Sequence, residues 1–363
     1  MSRAGHWLRR LYARHLLSRG RGVFYVTDAG GWSFEWDAHY ITRGLREFGV
    51  RADITTDPWA LRRQIIQFGD RYAYLRGPFA RISRDNDVFL TWFHGDPSDP
   101  DPTTQELFRL LDRAHPHPRK IIVTSEISRR TLESRAVPAE RLVSIPLGVD
   151  LERFRPASQE ERRKVRARLG IAEDQVCIGS FQKDGQGWEE GMEPKLSKGP
   201  DVFLEAVRLL AAVYPNLVVL LTGPSRGYVK HGLGKLDVPY LHKYLTDYHE
   251  VPLYYRALDL YLVGSRCEGG PKALLESWAS GVPIVSTRVG MCADLIRHRH
   301  NGWIVDAEDA RGLAEGAREL IDSPDLRETC VANALDDVSG LAWEAVAERY
   351  YRELYEPIWN SSP

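Results

Sequence analysis

Cysteine is scarce in this chain of 363 residues, and its four copies lack the CxxC spacing that holds zinc or a redox disulfide. Each lies within or beside an apolar run: Cys177, Cys267, Cys292 and Cys330. Long apolar runs are missing as well, since none approaches the roughly 18 residues needed to span a bilayer. The first residues also lack the continuous apolar segment of a secretory signal. We therefore expect buried, reduced thiols in a cytoplasmic protein.

Charge of one sign is not in excess. Lys and Arg total 49 against 50 Asp and Glu, which gives a net charge of -1. So balanced a composition does not predict a nucleic acid partner. No GxGxxG fingerprint follows the first predicted strand either, which argues against a dinucleotide-dependent dehydrogenase.

The local exception is an arginine-rich segment, residues 1–22, which contains six Arg and no acidic residue. At about 100° per residue, its apolar side chains form a broad stripe. One interpretation is a helix that lies on an anionic membrane surface and makes the protein peripheral to the inner face of the membrane. The other is a leading helix packed on the domain, or a ragged extension. The sequence leaves both open.

Short β-rich apolar runs alternate with amphipathic stretches along most of the sequence, which predicts βαβ units and parallel sheets. The predicted strands of the first half are Val23–Thr27, Ala52–Thr55, Val88–Phe93, Ile121–Thr124 and Val143–Ile145. Those of the second half are Val176–Phe181, Leu217–Thr222, Leu258–Val263, Ile284–Thr287 and Trp303–Val305. Residues 62–84 stay unassigned. A hinge is predicted at Pro146–Pro156, where prolines and a glycine interrupt the periodicity. The sequence therefore predicts two α/β domains.

The most informative segment is SRCEGGPKALLESWASGVPIVSTRVG, residues 265–290, which begins where a predicted strand ends. Gly269 and Gly270 allow the backbone to turn tightly and to approach a ligand. Pro271 suits the first turn of a helix, because its missing N–H has no partner there. The free N–H groups and partial positive charge of that helix start predict an anion site, suited to a diphosphate.

Two carboxylates flank this predicted anion site. Glu276 lies more than one turn inside the helix, where it can accept hydrogen bonds from vicinal hydroxyls such as those of ribose. Glu268 lies in the loop, placed to meet a sugar hydroxyl. The alternative is that Glu268 caps a turn and Glu276 is a solvated helix residue.

Seven residues separate Glu268 from Glu276, and EGGPKALLE is followed by ASGVPIVST. This pattern resembles the E-x7-E signature of the retaining glycosyltransferases of family 4. Four more stretches agree with the family in the same order: VSIPLGVDLERFRP, KGPDVFLEAVRLL, VPLYYRALDLYLVGS and NGWIVDAEDARGLAEGARELI. The resemblance covers most of residues 120–357 and is weaker over residues 1–119.

The resemblance implies the GT-B fold, an α/β architecture of two Rossmann-like domains that face each other across a cleft. A C-terminal helix crosses back to the first domain. We expect the acceptor domain at residues 1–150, the nucleotide-sugar donor domain at 151–340 and the returning helix at 341–363.

The resemblance also implies a catalytic set. Lys198 matches the lysine that neutralises the donor diphosphate. His94 matches the family's histidine, whose main chain or ring lies near the transferred sugar. With Glu268 they form the expected catalytic residues. Gly30 and Gly31 match the glycine loop that lets the backbone approach the donor phosphate and the acceptor.

One departure from the family concerns the second cation of the diphosphate site. Ser180 stands where the family usually has an arginine. We expect Lys183 or Lys195, in the loop that follows, to supply the missing charge. Lys272 stands where the family often has an apolar residue, and it is a further candidate.

The implied activity is transfer of a sugar from a nucleotide-diphosphate donor to an acceptor hydroxyl, with retention of anomeric configuration. The enzyme then supplies positioning and electrostatics, and no dedicated nucleophile is needed. Nothing in the sequence resembles a DxD metal site, so neither a metal ion nor another obligatory cofactor is expected. The acceptor is a glycan, glycolipid or other metabolite, as in polysaccharide biosynthesis. The alternatives are a nucleotide-sugar epimerase or a phosphorylase on the same fold, and a non-catalytic carbohydrate-binding protein.

Overall fold

The structure is a computed structural model, and it describes residues 20–28, 33–77, 81–99 and 101–359. The chain divides into two compact units. Unit 1 comprises Met1–Gly148 and Trp343–Pro363, and unit 2 comprises Val149–Ala342. Each contains one six-stranded sheet. The predicted α/β class with two Rossmann-like domains is confirmed. The arginine-rich segment lies outside the described residues up to residue 19.

The strands of unit 1 are all parallel: β1 (Val23–Val26), β2 (Ala52–Thr55), β3 (Ile65–Phe68), β4 (Asp87–Trp92), β5 (Lys120–Val123) and β6 (Leu142–Ser144). Their order in the sheet is β2-β1-β3-β4-β5-β6. The sequence did not reveal β3, because a polar residue interrupts its short apolar run. Gln67 is buried there, and its amide donates to Thr91 Oγ1 of β4 at 2.9 Å.

The helices that connect these strands are α1 (Ser33–Glu47), α2 (Arg71–Leu75), α3 (Pro102–Ala114) and α4 (Glu126–Ser134). The last three begin where a side chain accepts hydrogen bonds from the first free amides. Asp70, Asp101 and Ser125 cap α2, α3 and α4 respectively.

Unit 2 has a second parallel sheet: β7 (Val176–Phe181), β8 (Leu217–Thr222), β9 (Tyr240–Lys243), β10 (Leu260–Val263), β11 (Ile284–Thr287) and β12 (Trp303–Val305). The order is β12-β11-β10-β7-β8-β9. The edge strand β9 was not predicted, because it is half-exposed and therefore lacks an apolar run.

The helices of unit 2 are α5 (Gln159–Leu169), α6 (Pro200–Ala211), α7 (Gly227–Lys235), α8 (Val251–Tyr255), α9 (Lys272–Ala279), α10 (Gly290–Leu295), α11 (Ala310–Asp322) and α12 (Pro324–Ser339). Apolar faces of α6 and α11 contribute to one core with the sheet, where Phe203, Leu210, Val219, Leu262 and Leu313 are buried. Burial of such side chains is the main stabilising term of the unit.

The sheet of unit 2 changes direction at β7. From β7 the chain proceeds to β8 and β9 on one side, and then to β10, β11 and β12 on the other. Open parallel sheets bind ligands outside the carboxyl ends of the strands at such a point. The loops after β7 and β10, residues 182–199 and 264–271, emerge there.

The end of the chain returns to unit 1 as α13 (Trp343–Arg349), a π-helical segment (Tyr350–Tyr355) and α14 (Glu356–Trp359). Trp343 stacks on Tyr40 of α1 at a centroid distance of 5.4 Å. The Tyr355 hydroxyl donates to Gln67 Oε1 of β3 at 3.0 Å. The C-terminal helical segment therefore packs on the first unit, as expected. Among the helices that the structure describes, none has the length and apolarity needed to cross a bilayer.

Candidate functional site

A short turn sets the position of Lys198 beside the loop after β10. The turn, Leu196–Lys198, ends just before α6. Gly199 follows with φ +57°, and a Cβ atom at Gly199 would lie 1.8 Å from the carbonyl oxygen of Gly264. Both the left-handed backbone and this close approach require glycine. The backbone geometry of this turn therefore explains why a glycine follows Lys198.

Lys198 and Glu268 form a charge pair at the carboxyl ends of β7 and β10. Lys198 Nζ lies 2.6 Å from Glu268 Oε2, and Ser265 Oγ donates to Glu268 Oε1 at 3.0 Å. Gln182 Nε2 donates to the carbonyl oxygen of Lys198 at 3.2 Å. The side chains are 17% and 8% exposed, so the pair is largely shielded from water. An ammonium has three N–H donors, of which the bond to Glu268 uses one.

Glu276 lies on α9, and two tyrosines hold its carboxylate. The Tyr255 hydroxyl donates to Oε2 at 2.9 Å, and the Tyr248 hydroxyl donates to Oε1. Burial, and after it the charge of Glu276, raises the pKa of Tyr255 well above its usual value, so this hydroxyl keeps its proton. Glu276 is only 6% exposed, which rules out the alternative of a solvated helix residue.

The glycine loop between the two glutamates is fixed by α10. The Gly269 carbonyl oxygen accepts a hydrogen bond from the Met291 amide at 2.9 Å. Gly290 approaches so closely that a Cβ there would lie 2.2 Å from the same oxygen. Gly270 and Pro271 then lead into α9, and Pro271 is the residue before the helix rather than its first residue. No side chain of the described residues caps this helix start, whose first amides lack intrahelical partners.

The candidate second cations have aromatic neighbours. Lys183 Nζ lies 4.0 Å from the centroid of the Trp188 ring, and burial lowers the pKa of Lys183. Lys272, the first residue of α9, has its Nζ 5.7 Å from the Tyr248 ring centroid. Tyr248 thus contacts Glu276 and lies near Lys272.

The Arg226 side chain fills the position beside Ser180. The sequence analysis did not reveal this placement of Arg226. Its guanidinium donates to the carbonyl oxygens of Ser180, Gln182 and Thr222 at 2.6, 2.9 and 2.9 Å. Its Nε lies 3.0 Å from Asp184 Oδ1, and both side chains are fully buried. A guanidinium therefore lies beside Ser180, but the protein's own oxygens surround it. The chain brings it there from 46 residues away, and no local motif marks it.

The remaining predicted residues belong to unit 1. His94 follows β4 and is half-buried. The carbonyl oxygen of the residue before it, Phe93, accepts a hydrogen bond from Ser128 Oγ at 2.9 Å. Gly30 and Gly31 lie outside the described residues. The structure thus brings Lys198 and Glu268 into contact in unit 2, while His94 belongs to the other unit.

Comparison with protein families finds one matching family model, described as "Glycosyl transferases group 1", over residues 194–337. The match includes α6, α9 and both glutamates. The D-inositol 3-phosphate glycosyltransferase of Thermobispora bispora is 30% identical over 265 residues, which are 68% of this chain and 58% of that protein. The lipopolysaccharide core biosynthesis mannosyltransferase LpsB of Rhizobium meliloti is 25% identical over 197 residues, 52% of this chain and 53% of that protein. This chain therefore spans only somewhat more than half the length of these relatives.

Solved structures match nearly the whole chain. HepE of Anabaena, solved in complex with UDP-glucose, aligns with a TM-score of 0.74 and 17% identity, covering 92% of this chain and 99% of that one. A glycosyltransferase from Rickettsia africae aligns with a TM-score of 0.69 and 15% identity, covering 95% and 100%. At these identities the similarity concerns the fold, and it confirms the predicted GT-B class.

Proposed function

We propose, from the premise that residues 194–337 belong to the group 1 glycosyltransferase family, that this chain is a retaining glycosyltransferase. It moves a sugar from a nucleotide-diphosphate donor to an acceptor hydroxyl. The observation that carries the proposal is the largely shielded pair of Lys198 and Glu268 at the point where the strand order of unit 2 reverses. Glu276, held by two phenols, lies eight residues further along the same segment.

The donor diphosphate binds between Lys198 and the first turn of α9. The ammonium supplies a positive charge, and the amides after Pro271 supply uncapped N–H donors. Lys183, Lys195 or Lys272 provides the second cation, because Arg226 is enclosed by the protein's own oxygens. Ser180 lies near the end of the same strand, where the Arg226 guanidinium donates to its carbonyl oxygen.

The two carboxylates accept hydrogen bonds from hydroxyl groups on either side of the diphosphate. Glu276 accepts hydrogen bonds from the ribose, and Tyr248 and Tyr255 fix the direction of its oxygens. Glu268 accepts a hydrogen bond from a hydroxyl of the transferred sugar, while the hydrogen bond from Lys198 holds this carboxylate in place. Charged hydrogen bonds in a site with little water are strong enough to select one orientation of the donor.

Transfer itself needs charge stabilisation more than a nucleophile. The bond between the anomeric carbon and the phosphate oxygen breaks, and negative charge grows on the departing diphosphate beside Lys198. The acceptor oxygen attacks from the same face, and its proton passes to the diphosphate, so the anomeric configuration is retained. His94, with Gly30 and Gly31, belongs to the acceptor-side unit in this proposal, and residues 1–150 form the acceptor domain.

The test is a binding panel of UDP, GDP and ADP and their sugars, read by thermal shift and calorimetry. A ligand at 100 times its dissociation constant should add roughly 2.7 kcal/mol of stability. Lys198→Met should weaken binding of the matching diphosphate roughly 10- to 150-fold, since a charge-assisted bond contributes about 1.5–3 kcal/mol. Binding of the nucleoside without phosphates should hardly change, and an equal loss for both would contradict the assignment.

Product analysis separates the rival activities. Incubation of the bound nucleotide sugar without an acceptor should leave the sugar's stereochemistry unchanged, whereas an epimerase would convert it. With inorganic phosphate present, no sugar phosphate should form, whereas a phosphorylase would make one. The anomeric configuration of the transferred sugar, read by NMR coupling constants, should match that of the donor.

The proposal also includes a cellular location for the protein, at the cytoplasmic side of a membrane. Polysaccharide or glycolipid synthesis at the cytoplasmic side of a membrane suits the arginine-rich segment, residues 1–22, with six Arg and an apolar stripe. Sedimentation with vesicles should show binding to anionic lipid that falls with salt and that disappears when these arginines are replaced by glutamine. Equal binding to neutral vesicles would count against this part.

A further inference from the structure

Arg266, two residues before Glu268, connects three loops of unit 2. Its guanidinium bonds both oxygens of Asp201, at 2.7 and 2.6 Å, and both oxygens of Glu308, the Nη2–Oε2 distance being 2.8 Å. Nη1 also donates to the carbonyl oxygen of Leu196 at 2.8 Å. These bonds use all five N–H donors of the guanidinium.

The main chain around Arg266 is bonded to the turn that ends at Lys198. The amides of Arg266 and Cys267 both donate to the carbonyl oxygen of Ser197, at 2.9 and 3.0 Å. Lys198 is the next residue on one side, and Glu268 is the next residue on the other. The two loops are therefore joined immediately beside the charge pair.

The third loop, after β12, has a strained backbone at its contact with Arg266. Glu308 has φ +70°, a left-handed conformation that residues other than glycine rarely adopt. Such a conformation persists where surrounding contacts impose it. At this residue the Arg266 guanidinium donates two hydrogen bonds to the Glu308 carboxylate.

We propose that Arg266 is a positioning residue that sets the geometry of the Lys198–Glu268 pair. It fixes the loop after β10 to the start of α6 through Asp201 and to the loop after β12 through Glu308. The inference rests on the proposed function, which assigns the pair to the donor. A displacement of about 1 Å at a reacting centre can lower a rate about 100-fold, so looser loops reduce turnover more than binding.

The experiment is a double-mutant cycle of Arg266→Gln with Lys198→Met. It measures release of nucleoside diphosphate from whichever of the UDP-, GDP- and ADP-sugars the wild type turns over. Arg266→Gln should lower kcat roughly 10- to 100-fold with a KM change of less than about threefold. In the Lys198→Met background, Arg266→Gln should lower kcat hardly any further, because the Lys198–Glu268 pair that Arg266 positions is already absent.

Two controls separate positioning from general stability. Arg297→Gln removes another ion pair of unit 2, with Asp337 at 2.7 Å, and should leave kcat within about twofold. Arg266→Lys should recover part of the activity, since an ammonium can replace one branch of the fork but not all five donors. If Arg266→Gln does not fold, Glu308→Gln weakens one branch only and should show the same pattern with a smaller loss.

The same fold loss in both backgrounds would overturn the inference, because Arg266 would then act independently of Lys198. A wild type that binds no nucleotide and releases none would refute the proposed function, and the inference with it. A wild type that is active, with Arg266→Gln equally active, would refute the inference alone.

Discussion

Replacing Tyr255 by phenylalanine removes one hydroxyl beside Glu276 and keeps the aromatic ring. The ring stacks on Tyr261 at a centroid distance of 5.4 Å and meets Phe181 edge-on at 4.9 Å, contacts that phenylalanine preserves. Oε2 of Glu276 loses a donor at 2.9 Å in a buried site. A hydrogen bond to a charged group contributes about 1.5–3 kcal/mol, so the free energy of unfolding should fall by that amount.

The functional consequence should be confined to the ribose. With one donor fewer, the Glu276 carboxylate is less fixed, and a loss of about 1.4 kcal/mol weakens nucleotide binding tenfold. Calorimetry should compare the ribonucleoside diphosphate that binds the wild type with its 2′,3′-dideoxy analogue. The wild type should prefer the ribose form clearly, and Tyr255→Phe should lose most of that preference. The dideoxy analogue should bind both proteins alike.

The neighbouring tyrosine on α8 provides a matched control. Tyr254 is also buried and meets Phe181 edge-on at 6.5 Å, and within the described part of the chain its hydroxyl makes no hydrogen bond to Glu276. Tyr254→Phe should leave the ribose preference unchanged. If both variants lost the preference equally, or if neither did, the idea that Tyr255 orients Glu276 for ribose would be refuted.

Three further predictions concern stability, each measured by chemical denaturation. Gly199→Ala should cost at least about 1–2 kcal/mol from the left-handed backbone alone, and an unchanged midpoint would contradict the described turn. Arg226→Met should cost about 3–5 kcal/mol because it leaves Asp184 buried and unpaired, and a double change with Asp184→Leu should cost less than the sum. Hydrogen bonds from Arg266 hold the pKa of Asp201 below its usual value, so this pair stabilises the protein above about pH 4 and loses that effect as the pH falls through the lowered pKa. The stabilities of wild type and Arg266→Gln should therefore converge on acidification, and a constant gap would contradict the assignment.

The sequence predicts the strands whose side chains form apolar runs, and it misses those whose stability comes from elsewhere. β8 is buried along its whole length and was predicted residue for residue. β3 contains buried Gln67, which is satisfied by Thr91 on a neighbouring strand, and β9 is a half-exposed edge. In both cases the deciding contact is made by another strand, so a local window of sequence does not contain it.

The same limit applies to the site. The helix start after Pro271 and the spacing of the glutamates are local patterns, and the structure places Glu268 of this segment in contact with Lys198. The two tyrosines that donate to Glu276 lie 21 and 28 positions before it in the sequence. Nothing in their local sequence indicates that their hydroxyls bond this glutamate. The guanidinium beside Ser180 likewise depends on how β7 and β8 pair.

The most direct measurement is a crystal structure of the protein with the nucleoside diphosphate that stabilises it. The account predicts a phosphate oxygen about 3 Å from Lys198 Nζ, others on the amides that open α9, and ribose hydroxyls on the Glu276 carboxylate. Phosphates bound away from Lys198, or a ribose turned away from Glu276, would contradict it.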